Sequence, residues 1–265
     1  MKNDALGDRM KGYENISRIY LTRRMPLIIR IDGKAFHSFT RGFARPFDPI
    51  FMNAMRDTAM YLCNNIMGCK LAYTQSDEIS LLVTDYDQIN TDPWFGKNLQ
   101  KIVSVAASMA TMAFNRYFDA RIEDAVNSCN YGEFYYETYG LKIGTAMFDA
   151  RAFVLPKEEV CNYFIWRQQD AIRNSIQAVG QAFFSHKDLD HKSQNDIRVM
   201  LKEQKDVDWW ENYTPCEKLG SCVTKTRKET IGEDSFRMKW EHDLEIPVFS
   251  KDRNYIERFV LLGEE

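Results

Sequence analysis

No two of the six cysteines, Cys63, Cys69, Cys129, Cys161, Cys216 and Cys222, form a Cys-x2-Cys pair. Neither a zinc knuckle nor a redox dithiol is therefore indicated, and buried free thiols are expected. No apolar run reaches membrane-spanning length and the first fourteen residues are charged throughout, so no membrane span, anchor or signal peptide is expected and the protein reads as cytoplasmic. Charge of either sign in excess is missing too: 35 Lys plus Arg stand against 38 Asp plus Glu, a formal charge of -3 and a pI near 5.9. Any nucleic-acid site must then be a local patch. What is present is a chain of 265 residues, 45% hydrophobic, long enough to fill one large core or two.

Residues 26–33, Pro-Leu-Ile-Ile-Arg-Ile-Asp-Gly, read as a buried strand ending in the acid Asp32. Residues 71–83 read as two short strands folded about Ser76 and Asp77, and residues 48–67 between them have helical spacing, with Asp48 as cap and Pro49 in the first turn. In that order the hairpin can lie beside the first strand, so Asp32 and Asp77 can meet at one sheet edge. Two carboxylates held together repel unless a proton or a cation neutralises them. Mg²⁺ suits such a pair, because it takes one or two carboxylates and fills its other sites with water and phosphate oxygens. Asp-Gly and Ser-Asp are also ordinary turn residues, so these positions alone leave a plain turn and hairpin tip open. Beyond Asp32, the stretch 34–49 alternates aromatics (Phe36, Phe39, Phe43) with cationic side chains (Lys34, His37, Arg41, Arg45), offering phosphate ligands and rings for a base to stack on.

Residues 4–19 have the spacing of a packing helix leading to the first strand, with Leu6, Met10 and Tyr13 on one face. After the hairpin, the acidic stretch 85–96 reads as a loop, 97–118 as a second long helix and 141–155 as a strand ended by Pro156. Strand, helix, strand, strand, helix, strand is the α+β, ferredoxin-like βαββαβ arrangement, which is also the core of polymerase palms and nucleotide cyclases. Domains are expected at 1–155, a palm-like catalytic unit with its N-terminal helix, and at 156–265, a mainly helical extension. The extension has helices at 157–184 and 193–205 and strand-like runs at 236–240 and 245–249. Basic residues cluster there at His186, Lys187, His191 and Lys192, and again at Lys225, Arg227, Lys228, Arg237 and Lys239, as solvated faces or as RNA-backbone sites.

Several separated motifs resemble the tRNA-histidine guanylyltransferase family and its guanylyltransferase-like, 3′-to-5′ polymerase branch. They are Leu6-Gly-Asp-Arg-Met-Lys-Gly-Tyr-Glu14, Arg30-Ile-Asp-Gly-Lys-Ala-Phe-His37, Phe43-Ala-Arg-Pro46, Gln75-Ser-Asp-Glu78, Phe148-Asp-Ala-Arg151 and Trp166-Arg-Gln-Gln-Asp170. The resemblance implies a palm-like nucleotidyltransferase using two Mg²⁺ ions, ATP and GTP or other NTPs, and a tRNA 5′ end, assembled as a homotetramer. Carried over, Asp32, Asp77 and the Gly33 carbonyl would hold metal, with Glu78 and Ser76 supporting them and Asp32, Asp77 and Glu78 catalytic. Residues Asp32, Gly33, Lys34, Ala35, Phe36 and His37 would cradle the nucleotide together with Arg45, Ser76, Asp77 and Lys101; Arg45 stands where members commonly have Lys. His37 is a candidate proton shuttle or nucleotide contact. Candidate RNA contacts are Arg151, Arg173, Asn174, Lys187 and Lys192.

One departure bears on the substrate. Members serving tRNA-histidine carry His-Ile-Asn-Asn-Leu-Tyr-Asn where this chain has Ile172-Arg-Asn-Ser-Ile-Gln-Ala178. That is similar to the branch that repairs truncated tRNA 5′ ends by copying the opposite strand. Templated 5′-end repair is the expected function; unpaired G addition to tRNA-histidine, or a cyclase or nucleotide-binding palm protein that uses no RNA, are the alternatives.

Overall fold

The computed structural model describes residues 4–128, 132–229 and 236–261; Cys129 lies outside them. Helix α1 (Ala5–Ile16) starts where the Asp4 carboxylate accepts from the Gly7 N–H. It was expected to pack, yet it buries none of its residues, and Leu6, Met10, Tyr13 and Ile16 are 48–82% exposed. The spacing produced the helix, but among the described residues no element covers its apolar face.

Strand β1 (Leu27–Gly33) sends apolar side chains to both faces in its first half, because both are covered there. Ile29 and Ile31 enter one core, while Ile28 enters the other. A single turn, α2 (Phe36–Phe39), leads to α3 (Pro49–Asn65), whose cap Asp48 accepts from the Phe51 N–H at 2.8 Å with Pro49 in the first turn, as expected. Strands β2 (Cys69–Gln75) and β3 (Glu78–Val83) form the expected hairpin, and β3 lies antiparallel to β1. The loop after β3 carries Asp85, which binds the Arg24 N–H and pairs at 3.1 Å with Lys97, both side chains only 2% exposed. That acid is structural. Helix α4 (Leu99–Ser128) runs ten residues past its expected end at 118. After α5 (Gly132–Tyr139), strand β4 (Phe148–Val154) occupies only the last part of the 141–155 stretch and pairs with the other edge of β1.

The sheet order is β4-β1-β3-β2 in this unit. Helices α3 and α4 cover one face through Ala54, Leu62, Ala106 and Phe114. Helix α6 (Lys157–Phe183) covers the other through Val160 and Phe164. Burying a large aliphatic or aromatic side chain contributes about 1.5–3 kcal/mol, so the sheet is held from both sides. Helices α7 (His186–Leu189) and α8 (Gln194–Lys205) pack on the last turns of α6 around Val179, Ile197 and Leu201. The chain then returns to the sheet through α9 (Pro215–Leu219): β5 (Ser221–Glu229) pairs with β2, and β6 (Phe236–Asp243) pairs with β5. One six-stranded sheet therefore joins the two expected regions. Strand β5 was not read from the sequence. The strand expected at 245–249 is not one; Gln168 of α6 holds that segment instead, accepting from the Phe249 N–H at 2.8 Å and donating to the Pro247 carbonyl at 2.9 Å. Among the described residues no helix is long and apolar enough to cross a membrane.

Candidate active site

The antiparallel register places Asp32 opposite Glu78 on β3 and opposite Asp149 on β4. At the same end the Gly33 N–H donates to the Asp77 carbonyl at 3.1 Å, stitching the end of β1 to the hairpin tip. The tip turns at Ser76, φ +48°, whose hydroxyl donates to the Asp77 carboxylate at 3.1 Å. Asp32 and Asp77 thus meet, as the order of elements implied. Burial pushes the Asp77 carboxyl above the usual carboxylate range; its own backbone amide opposes this, and the nearby Asp32 charge raises it further. The pair carries the mutual repulsion that a cation would relieve.

Gly33 is required by close approach: a Cβ there would stand 2.3 Å from the Phe36 ring. The chain then turns at Ala35 with φ +56°, a left-handed conformation uncommon for a residue with a side chain. This turn leaves the N–H groups of Ala35, Phe36 and His37 without a partner among the described hydrogen bonds. All three residues line a cleft of about 640 Å³ that also takes in Gly33, Arg41, Arg45, Ser76 and Asp77. Successive free amides flanked by cationic side chains form an anion cradle. Asp48 fixes the far wall, accepting from the Ala44 N–H at 2.9 Å and the Tyr139 hydroxyl at 2.6 Å. The aromatic half of the expectation fails, however. Phe36, Phe39 and Phe43 are 4–7% exposed and pack with Phe51, Phe114 and Phe118, so they build the wall and offer no face for stacking.

Glu78 points to the α6 face. The Arg167 Nε donates to it at 2.8 Å, and the same guanidinium donates to Asp170 at 2.7 Å. Burial raises the Glu78 carboxyl above its ordinary range, and Arg167 is the chief opposing influence. Glu78 therefore braces the tip against α6. Arg167 sits in a quoted motif, but its role was missed because its partner is 89 positions away. Arg30, two residues before Asp32 and so on the same face of β1, was also missed as a site residue. Its Nε is buried without a partner and its guanidinium lies 5.9 Å from the Trp166 ring centroid. Arg151 is its cross-strand neighbour, exposed and 3.7 Å from Asp149.

Other expected residues are not brought to the cleft. Lys101 is exposed on the first turn of α4, four residues beyond Lys97, whose ammonium binds the Thr22 and Met25 carbonyls near the opposite end of β1. It does not line the cleft. Lys34 is anchored by its N–H to the Met147 carbonyl at 2.8 Å while its exposed side chain is not part of the lining. Arg173 pairs with Asp170. Lys187 and Lys192 are exposed near α7, away from the lining, and Lys225 lies 4.9 Å from the Trp240 ring. The side chains of Arg227, Lys228 and Arg237 lie outside the described residues.

The donor chemistry fits Mg²⁺. Among the described residues no three His, Cys, Asp or Glu side chains converge as a self-sufficient metal cluster. An ion here would be held by Asp32, Asp77 and the Gly33 carbonyl, with water and substrate phosphate completing the shell, as a hard cation with few protein ligands requires.

Paired acids at a palm's strand tip beside a row of free backbone amides suit nucleotidyl transfer, and comparison with known proteins agrees. The family model for tRNAHis guanylyltransferase matches residues 7–156. The solved structure of a bacterial tRNA(His) guanylyltransferase (Thg1)-like protein in complex with ATP superposes with a TM-score of 0.82 and 47% identity, covering 97% of this chain and all of that one. One in complex with GTP gives 0.77 and 44%, covering 98% and all. The tRNA(His) guanylyltransferase of Schizosaccharomyces pombe is 28% identical over 174 residues, 63% of this chain and 56% of that protein. A family match over more than half the chain, together with that likeness across nearly all of it, places this protein in the tRNA(His) guanylyltransferase family, as a nucleotidyltransferase.

Proposed function

We propose that the chain extends tRNA at its 5′ end in the 3′-to-5′ direction, choosing each nucleotide by pairing with the opposite strand. The observation that carries the chemistry is that Asp77, with Asp32 next to it at the strand end, lines the same cleft as the free amides of Ala35, Phe36 and His37. Template use is supported by the replacement of the His, the Tyr and most of the amides in residues 172–178.

In the first step an oxygen of the RNA 5′-monophosphate attacks the α-phosphorus of ATP and pyrophosphate leaves, giving a 5′-adenylylated RNA. The 3′-hydroxyl of the incoming nucleotide then attacks that activated phosphorus and AMP leaves. Two Mg²⁺ ions would neutralise charge that builds on the phosphoryl oxygens in both steps. The amides of residues 35–37 and Arg45 hold and orient the triphosphate, contributing position and electrostatics before reaction begins. Arg30 and Arg151, on the acids' side of the sheet, offer cationic anchorage for a second phosphate group. His37 at the cleft wall contacts the nucleotide. Glu78, held by Arg167, keeps Asp77 in register with Asp32. Residues 1–155 would supply this chemistry, while 156–265 carry RNA along Arg173, Asn174, Lys187 and Lys192. The uncovered apolar stripe of α1 fits a face shared between copies in a homotetramer, which light scattering would check.

The deciding experiment is a matrix of 5′-truncated tRNAs with each of the four NTPs, run beside intact tRNA-histidine with GTP. Addition of the pairing nucleotide to several truncated tRNAs is expected. Addition of G alone, whatever the opposing base, or cyclic nucleotide with unchanged RNA, refutes the proposal.

A further inference from the structure

Beside the phosphate-binding cleft lies a second recess, of about 150 Å³, between the start of α3, the hairpin tip, α6 and α9. Phe51 and Met52 form one wall, and Ser175 and Ala178 form the other. Two primary amides face it. Gln75 is only 8% exposed, and its side chain has no hydrogen-bond partner among the described residues; Asn174 stands unpartnered at the exposed mouth. The other polar groups here are already satisfied: the Ser175 hydroxyl donates to the Ile172 and Lys218 carbonyls, at 2.9 and 3.2 Å, and the Glu217 carboxylate caps α9 by accepting from Thr214.

The Gln75 amide is not among the fully enclosed unpartnered atoms, so it opens to the recess, where a ligand can take up its hydrogen bonds in place of water. An amide offers one acceptor and two donors in a plane, so it is complementary to the donor–acceptor edge of a neutral heterocycle. Charge points the same way. Among the described residues no Lys, Arg or His lines the recess, whereas Arg41, Arg45 and His37 line the cleft next door. A phosphate would gain nothing in the recess and much in the cleft. The volume equals roughly five waters at ~30 Å³ each, room for one ring system and not for a whole nucleotide.

We propose that this recess is a nucleobase subsite, in which a base sits between Met52 and Ala178 with its polar edge toward Gln75 and Asn174 while its sugar and phosphates remain outside. The base can come from a mononucleotide or from RNA, and the test separates the two. The inference rests on the 5′-end polymerase reading for the source of the base, and not for the existence of the subsite.

The full chain is titrated with adenosine, guanosine, cytidine and uridine, which lack phosphate, while side-chain amide signals are followed by NMR. At least one nucleoside is expected to bind, shifting the Gln75 and Asn174 signals, and to bind about tenfold more weakly to Gln75→Leu and to Asn174→Ala. Asn174 is exposed, so its variant keeps the fold even where Gln75→Leu, checked by thermal unfolding, does not. Arg45→Ala should keep nucleoside binding while losing NTP affinity. In turnover, a raised KM for NTP alone assigns the base to a mononucleotide, and a raised KM for truncated tRNA alone assigns it to RNA. The subsite is overturned if no nucleoside binds, if both variants bind as the wild type does, or if neither KM moves. Nucleoside binding that survives with no 5′ addition by the wild-type protein would sink the polymerase reading and leave the subsite standing.

Discussion

Replacing Arg167 by Met tests whether the hairpin tip depends on α6. The guanidinium and the Glu78 carboxylate are 7% and 6% exposed, joined at 2.8 Å, and Arg167 also holds Asp170. Removing the cation leaves Glu78 charged in a place with little water, and stranding one partner of a buried ion pair costs about 3–5 kcal/mol. At about 2 °C per kcal/mol for a chain of this size, the unfolding midpoint should fall by roughly 6–10 °C. The pH dependence has a definite sign. The Glu78 carboxyl is already raised above its unfolded value of 4.5 by burial. A raised carboxyl binds its proton more tightly in the folded state, so its effect is favourable below 4.5 and is lost as pH rises through the folded value. Arg167→Met raises that value further, so its deficit should be largest at pH 7 and should shrink toward pH 5. The double variant with Glu78→Gln, which has no charge to strand, should recover most of the loss at pH 7. Urea unfolding at pH 5 and 7 for the four proteins of this cycle gives the coupling. A single variant within 1 kcal/mol of wild type at pH 7, or a double variant no better than the single, would refute the argument.

Asp32→Ala and Asp77→Ala should each abolish both adenylylation and nucleotide addition with the circular dichroism unchanged, since in the proposed mechanism both steps would use the ions these acids hold; near wild-type extension in Mg²⁺ by either would break the assignment. Asp77→Asn, which removes a carboxylate disfavoured by burial and by Asp32, should raise the urea midpoint of the free protein at pH 7 while eliminating activity. Gly33→Ala sets a methyl against the Phe36 ring, so a loss of about 1–3 kcal/mol and weaker NTP binding are expected from unfolding and titration. Arg45→Ala should weaken NTP binding and Arg45→Lys should do so only mildly; equal, large losses would mean a forked two-bond contact that an ammonium cannot copy.

The sequence by itself determined what depends on neighbours along the chain. The Asp48-Pro49 start of α3, the hairpin about Ser76 and Asp77, and the run of α6 follow from caps, turn residues and apolar spacing. With that order of elements, the meeting of Asp32 and Asp77 follows as well. What the tertiary structure decided involves partners far apart in sequence. Strand β5 joins β2 because the edge of β2 was open, and a period of two in side chains does not name the strand it will pair with. Phe36, Phe39 and Phe43 look like stacking surfaces in a polar loop and become core only when α4 supplies Phe114 and Phe118. Helix α1 has the pattern of a packing helix and buries none of its residues among the described ones, because periodicity specifies a face and not what covers it. Glu78 reads as a third acid beside the metal pair until Arg167 arrives from α6, and the unpaired amide of Gln75 exists only because α3, α6 and α9 close around it without supplying a partner.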